Sequence, residues 1–333
     1  MKENGPVPQS RTRKPNYSRR IVWLAVFVVL LFGGYSAGWF YVADMVESRA
    51  KAALADLNRD GVTAECANPV ARGYPFRIGL FCERVAFADI SQGIDFKAGS
   101  FRSAGQIYDP MRLVAELDGP AAIDLPQGDP ISLNWAGLRA STRLDQPLPE
   151  RVSLEGTALK AETGSGAPLA TVAAFQAHMR PNGADLDLAG GFDGLTLDRA
   201  LVDGRRLPIL SGQSDLTITD GVALVESRPE SLRGQSGTIR MLALSAGPNT
   251  GIVVSGPFSI GQDGLLDAEL KVTIRDPDGL SSVLADAFPE NRDQIANGFS
   301  GLAMLGKEPT LPLKITKGRA SLGFIPLGDI PPL

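Results

Sequence analysis

Residues Ile21 to Tyr41 read IVWLAVFVVLLFGGYSAGWFY and contain no charged side chain. As an α-helix rising about 1.5 Å per residue, the run reaches roughly 31 Å, matching a bilayer hydrocarbon core of about 30 Å. The pattern therefore predicts a transmembrane helix over 21–41. Its flanks orient it. Lys2, Arg11, Arg13, Lys14, Arg19 and Arg20 precede it with only Glu3 against them, while Asp44 and Glu47 follow. Under the positive-inside rule, residues 1–20 form a cytoplasmic basic segment and the C-terminal part is exported. A cleaved signal peptide is the rival reading, because Ser36, Ala37 and Gly38 suit a peptidase site. The run exceeds the usual signal core of about 7–15 residues, and Trp39, Phe40 and Tyr41 suit an outer interfacial belt. A retained signal-anchor is therefore expected. Gly34 and Gly38 carry the GxxxG spacing through which such helices dimerise. The basic flank reads as topogenic, with a cytoplasmic partner or anionic lipid as the alternative.

Beyond the span, Val42, Met45, Val46, Arg49, Ala53, Leu54 and Leu57 keep helical spacing, which extends the helix as a stalk over 42–60 until Asp60-Gly61 stops it. The first 20 residues carry six basic groups and one acid, a net +5; since the whole chain is −4, the remainder is −9. An acidic exported part lacks the basic footprint that nucleic acid requires. The 37 glycines and 24 prolines recur as punctuation, which favours many short strands over a helical bundle.

Only two cysteines occur, Cys66 and Cys82, both in the exported part. An oxidising compartment makes a disulfide the economical reading, and closing the 15 intervening residues stabilises by about 3 kcal/mol in the chain-entropy model. A redox motif would prefer CxxC, and a zinc site would need further ligands. The flanking stretch reads as two strands around Asn68 to Tyr74. Between the cysteines lies Arg72-Gly73-Tyr74-Pro75-Phe76-Arg77-Ile78, where Pro75 holds Tyr74 extended and the aromatics suit the end of a sheet.

These residues carry a resemblance. Cys66, the motif Gly73, Tyr74, Pro75 and Phe76, Cys82, then Ile107-Tyr108-Asp109-Pro110, Val114 to Pro120 and the terminal Gly328 to Leu333 together resemble the domain of unknown function 2125 family of alphaproteobacterial envelope proteins. The resemblance implies an inner-membrane anchor and a periplasmic domain, and transfers no activity or catalytic residue. The architecture of anchor followed by amphipathic strands is similar, more loosely, to the AsmA-like envelope proteins associated with lipid movement.

Further along, Leu266, Ala268, Leu270, Val272 and Ile274 alternate with Asp267, Glu269, Lys271, Thr273 and Arg275, one dry face and one wet. Similar alternation marks Val152–Leu154, Leu186–Leu188, Leu195–Leu197 and Leu311–Ile315, and Asp220-Gly221 reads as a hairpin turn joining Leu216 and Ile218 to Val222 and Leu224. Leu280, Val283, Leu284, Ala287 and Phe288, then Ile295, Phe299 and Leu302, have helical spacing, with Asp278 as cap. The fold class expected is mainly β (α+β): the membrane helix and stalk, then over 61–333 a curved antiparallel sheet domain with a C-terminal helical pair. Residues 160–170 are the best place to divide it into two halves.

Chemistry finds little support. His178 is the only histidine, so no multi-histidine metal site exists, and no GxSxG elbow accompanies it. His178 reads as a surface strand residue. Gly164-Ser165-Gly166 is too short for a dinucleotide loop, and Asp276-Pro277-Asp278-Gly279 reads as turn and helix cap rather than a calcium loop. No catalytic residue, metal ligand or cofactor is assigned. The leading expectation is a noncatalytic envelope protein presenting an apolar sheet groove to membrane lipid, with Leu266, Leu270, Val272 and Ile274 as groove candidates. The plainer reading of the same face, and the one the pattern favours, is a packed core between two sheets. The alternative function is a structural or interaction module with an envelope protein partner.

Overall fold

The computed structural model describes residues 17–59, 61–227, 231–323 and 325–333. Lys2, Arg11, Arg13, Lys14 and the stop signal at Asp60 lie outside them. Helix α1, Tyr17–Leu57, is one unbroken element of 41 residues in which span and stalk are continuous. Its apolar stretch stands bare, with Ile21 to Phe32 exposed, which separates it from the core helix of a globular domain.

Among the described residues, the remainder is built on a sheet of twenty strands in which every pairing is antiparallel, with short helices against it. They are β1 (Val62–Cys66), β2 (Val70–Arg72), β3 (Arg77–Cys82), β4 (Val85–Asp89), β5 (Ile94–Ala98), β6 (Phe101–Gln106), β7 (Asp109–Leu117), β8 (Ala121–Asp124), β9 (Ile131–Asn134) and β10 (Gly137–Arg143). Then come β11 (Arg151–Thr163), β12 (Pro168–Asn182), β13 (Asp185–Leu197), β14 (Leu210–Ile218), β15 (Ser236–Ser245), β16 (Gly251–Ile260), β17 (Leu266–Arg275), β18 (Thr310–Thr316), β19 (Arg319–Leu322) and β20 (Ile325–Asp329). Hydrogen bonding divides the N-terminal ten into two arms. One runs β2-β3-β6-β7-β10 and the other β1-β4-β5-β8-β9. Both arms join the same edge of β11: β10 pairs its first half and β9 its last four residues. From β11 to β20 the strands follow one another as a single meander.

The disulfide forms as expected: Cys66 and Cys82 are bonded, with Cα atoms 5.2 Å apart. Its setting differs from the expected pair of strands. β2 intervenes, and the cysteines sit in different arms, since β1 pairs β4 whereas β3 pairs β2 and β6. The bridge thus ties the free edge of one arm to the other, opposite the junction at β11. Helix α1 runs against β1, β2 and β3 at this seam, where Glu47 accepts a hydrogen bond from the Ala71 backbone N–H at 2.7 Å.

Two local readings change. Residues 160–170 are a hairpin inside the ladder: β11 and β12 pair on both sides of the turn, with Lys160 opposite Thr171 and Ala161 opposite Ala170. Glycines and small polar residues mark both linkers and tight turns, and composition does not separate them. The architecture nevertheless changes beside it, from two arms to one meander. Asp220-Gly221 starts a helix instead of a hairpin: α2 covers Gly221–Ser227. Gly221 is buried against Leu186, where a Cβ would overlap that side chain, so the glycine serves close packing.

The C-terminal helices appear where their spacing placed them, α3 over Pro277–Ala287 and α4 over Arg292–Ala303. The cap moves two residues upstream. Asp276, not Asp278, accepts the Gly279 N–H at 3.1 Å and the Thr250 hydroxyl at 2.9 Å, because Pro277 occupies the first helical position, where its fixed φ and missing N–H are tolerated.

Candidate functional site

Residues paired across strands share a face, so the register traces which side chains line each surface. One row reads Val152, Met179, Leu188, Leu216 and Ile239 across β11 to β15. Another reads Leu242, Val254, Val272 and Leu311 across β15 to β18. Eight strands at about 4.8 Å spacing make this apolar face roughly 34 Å wide. In the β1-containing arm the row Ala64, Phe87, Phe96, Ile123 and Ile131 belongs to the same inner surface, which the disulfide closes at its far side.

Three phenylalanines keep that surface low. A Cβ on Gly156, Gly212 or Gly237 would run into the rings of Phe175, Phe192 and Phe258 respectively. Each ring lies over a glycine of the next strand instead of standing up from the sheet. Irregularities cross the same strands: register shifts break β13–β14, β14–β15 and β15–β16, and Ala158, Gly194 and Gly256 adopt positive φ. Bulges bend strands and raise local twist, so a row of them across neighbours curves the sheet.

The inner face is covered at its ends. Leu280 of α3 is buried with Val272 and Ile274, and Leu284, Phe299 and Leu302 pack on that cluster. Ala268, Leu270 and Ile315 form a second cluster with Phe258 and Leu266 against it. At the opposite strand ends, α2 lies on β13. Arg205 ties the helical pair to the loop after β13 through Glu290 at 2.6 Å and the Phe288 ring at 4.6 Å. Between these covers the face is open. Leu154 is 37% exposed and Leu242 and Leu244 are each 47% exposed, and among the described residues no large side chain is fully buried.

The groove candidates therefore occupy a particular part of the face. Leu270, Val272 and Ile274 are buried in the two clusters, and Leu266 packs beside them. They form packed floor and wall, while the open stretch lies across the strands from them and was not singled out from sequence. It is two strands away on β15, where Leu242 and Leu244 share rows with Val272 and Ile274, and six strands away on β11. Alternation at Leu242 and Leu244 is its signal, obscured by the bulge at Arg240-Met241. Gly73, Tyr74, Pro75 and Phe76 form the β2–β3 loop and dock on α1. Tyr35 donates its hydroxyl to the Pro75 carbonyl, Ser36 and Tyr74 hydroxyls lie 2.7 Å apart, and Trp39 Nε1 donates to the Arg77 carbonyl at 2.9 Å. The Trp39 and Tyr74 rings meet edge to face at 5.4 Å, and Phe40 stacks on Tyr74 at 5.9 Å. Gly34 and Gly38, whose spacing suits helix dimerisation, have no atom from outside the helix's own local backbone within 4 Å of where a Cβ would stand.

The outer face is polar, and across β12 to β15 its charges are paired. His178 lies there, half-buried, with Nδ1 2.9 Å from the Ser153 hydroxyl on the neighbouring strand. Asp187, 5% exposed, joins four strands: it accepts from Arg180 at 3.1 Å, Thr217 at 2.8 Å and Arg240 at 2.9 Å, and Arg240 also pairs with Asp215. The hydrogen bond from Arg240 leads in holding the Asp187 carboxyl at about 2, below its ordinary 3.8. Because the folded value is depressed, the stability contributed is complete above about pH 4 and lost as pH falls toward 2. Asp187→Asn is expected to cost roughly 1–3 kcal/mol at neutral pH and much less at pH 2, measured by denaturant titration at both. No cluster of three metal-ligating side chains occurs among the described residues.

Fold and surface together define a class: an antiparallel β-meander with a partly open apolar inner face, carried on a long apolar N-terminal helix. The family model for an uncharacterized protein conserved in bacteria, domain of unknown function 2125, matches residues 39–331, and the chain belongs to that family. No curated protein and no solved structure matches it.

Proposed function

We propose that the chain is a noncatalytic inner-membrane protein, N-terminus in the cytoplasm and β-domain in the periplasm, that holds or passes lipid acyl chains along the open stretch of its inner face. The observation that carries this reading is the pairing of a continuous apolar face with Leu154, Leu242 and Leu244 left exposed on it. Leaving apolar area in water costs about 25 cal/mol per Å² and is retained where a ligand or partner covers it. The bare α1 supplies a reason for that ligand to come from a bilayer, and the disulfide fits an oxidising compartment.

With the full chain in nonionic detergent, binding of a fluorescently labelled phospholipid is expected to weaken about ten-fold or more when Leu242 and Leu244 are both replaced by aspartate, since a carboxylate on the face must be desolvated. Unchanged affinity in a folded variant contradicts the reading. A partner protein at the sheet edge is the second reading, favoured by Ile325 at 61% and Leu327 at 57% exposure on β20. It ranks lower because Pro326 and Gly328 interrupt that strand, and proline blunts an edge. Crosslinking in membranes that recovers one reproducible protein at β20, and no lipid at β15, would reverse the order.

A further inference from the structure

The outer face of the N-terminal arm carries a basic stripe that the groove does not use. The register sets Arg112 on β7 opposite Arg143 on β10, and Arg143 opposite Arg151 on β11. Like charges directly opposite destabilise a sheet, so the row is unfavourable unless anions lie against it. Arg72 and Arg77 continue the surface on β2 and β3, lining a cavity of about 400 Å³ that Arg112 also borders. Arg112 and Arg143 each have one carboxylate, Asp109 at 3.8 Å and Glu150 at 3.0 Å. Among the described residues, Arg72, Arg77 and Arg151 form no ion pair, and Arg72 lies over the Phe81 ring at 5.0 Å, a contact that consumes none of its N–H donors. Arg102 and Glu116 line the same cavity and pair at 3.5 Å, so six arginines face three carboxylates, an excess of three positive charges in a part of the chain that is net −9 overall.

The stripe lies at one particular end of the strands. The Arg77 carbonyl is held by Trp39 of α1 at the outer end of the apolar run. The β6–β7 turn is bonded to the β2–β3 loop, Ile107 N–H to the Phe76 carbonyl at 3.1 Å, and the turn after β10 is bonded to β7, Leu144 N–H to the Met111 carbonyl at 2.8 Å. On these loops and the adjoining start of β7, Tyr74, Phe76, Ile107, Tyr108, Met111 and Leu144 are exposed, Tyr108 by 76% and Phe76 by 67%. Exposed aromatics backed by arginines are what an interface of headgroups and upper acyl chains accommodates.

We propose that this end of the β-domain rests on the bilayer that α1 crosses, with the arginine stripe against the phosphates of anionic phospholipid headgroups and the exposed loops in the interface. The inference rests on α1 being a retained anchor and does not depend on lipid entering the groove. It is tested with the full chain in nanodiscs of phosphatidylcholine alone, or with roughly a quarter phosphatidylglycerol, by amide hydrogen exchange. Exchange in peptides spanning 72–78, 105–113 and 143–151 is expected to slow about five-fold or more with phosphatidylglycerol. Replacing Arg77, Arg112 and Arg151 by glutamine should abolish the slowing, and replacing them by lysine should keep most of it. Equal exchange in both lipids, an unaffected glutamine variant, or the same protection from inorganic phosphate on phosphatidylcholine discs would overturn the proposal. Loss of the chain from the discs in alkaline carbonate would overturn it through the anchor, a separate readout. If the glutamine variant also exchanges faster along β13–β17, it has misfolded and salt decides on the unaltered chain. Protection lost at about 1 M salt supports the stripe, and protection retained overturns it.

Discussion

Replacing Cys66 and Cys82 together by alanine is expected to lower the unfolding free energy by about 3 kcal/mol, among the largest effects of any change to this chain. The loop it opens contains only 15 intervening residues, yet the bridge does more than close a loop. It joins the unpaired edge of the arm ending at β1 to β3 of the other arm, on the side opposite their junction at β11. There α1 and the backbone bonds from Ala67 N–H to the Arg84 carbonyl and from Glu83 N–H to the Ala67 carbonyl also bridge the seam. Cys82 is 4% exposed, so its loss also removes packing. Denaturant midpoints should therefore fall in the double variant. A thiol reductant should lower the midpoint of the unaltered chain comparably and leave the variant untouched. Equal midpoints for all would mean that the seam is held by α1 and strand pairing alone.

Ile274→Ala is expected to cost about 2–4 kcal/mol, while Leu244→Ala costs below about 1 kcal/mol, although both residues lie on the same apolar face. Ile274 is 4% exposed beneath α3 and α4, with Val272 and Leu280 around it, so truncation leaves a cavity that the surrounding sheet and helices cannot fully collapse into. Leu244 is 47% exposed and leaves no cavity. The contrast separates packed from open portions of the face and is read from the two denaturation curves. Comparable losses would show that something covers Leu244 in the native state.

Much of this fold was legible because its signals are local. The period-two alternation of Leu266 to Arg275 announces β17, the helical spacing of Leu280 to Phe288 announces α3, and an uncharged run of 21 residues announces the apolar helix. The failures come from distance and from turn chemistry. Gly221 looks like a hairpin glycine until Leu186, 35 residues earlier, is seen beneath it. Residues 164–167 could join halves or turn a hairpin, and only the pairing of β11 with β12 decides. The four groove candidates lie on the apolar face, but no pattern within β17 reports that two helices cover it there while β11 and β15 stay open. The Asp187 network and the arginine row are likewise sums over separate strands, each charge ordinary in its own segment. The GYPF loop was legible as a distinctive motif; its contact with Tyr35, Ser36 and Trp39 was not.

The central claim is that the inner face meets lipid where it is open. A photoreactive amino acid placed at Leu242, whose side chain lies on that face, and separately at Thr238, on the outer face of the same strand, tests it in intact membranes. Illumination is expected to join phospholipid to the protein from position 242 and little or none from 238. Lipid captured equally from both positions, or a protein in place of lipid at 242, would contradict it.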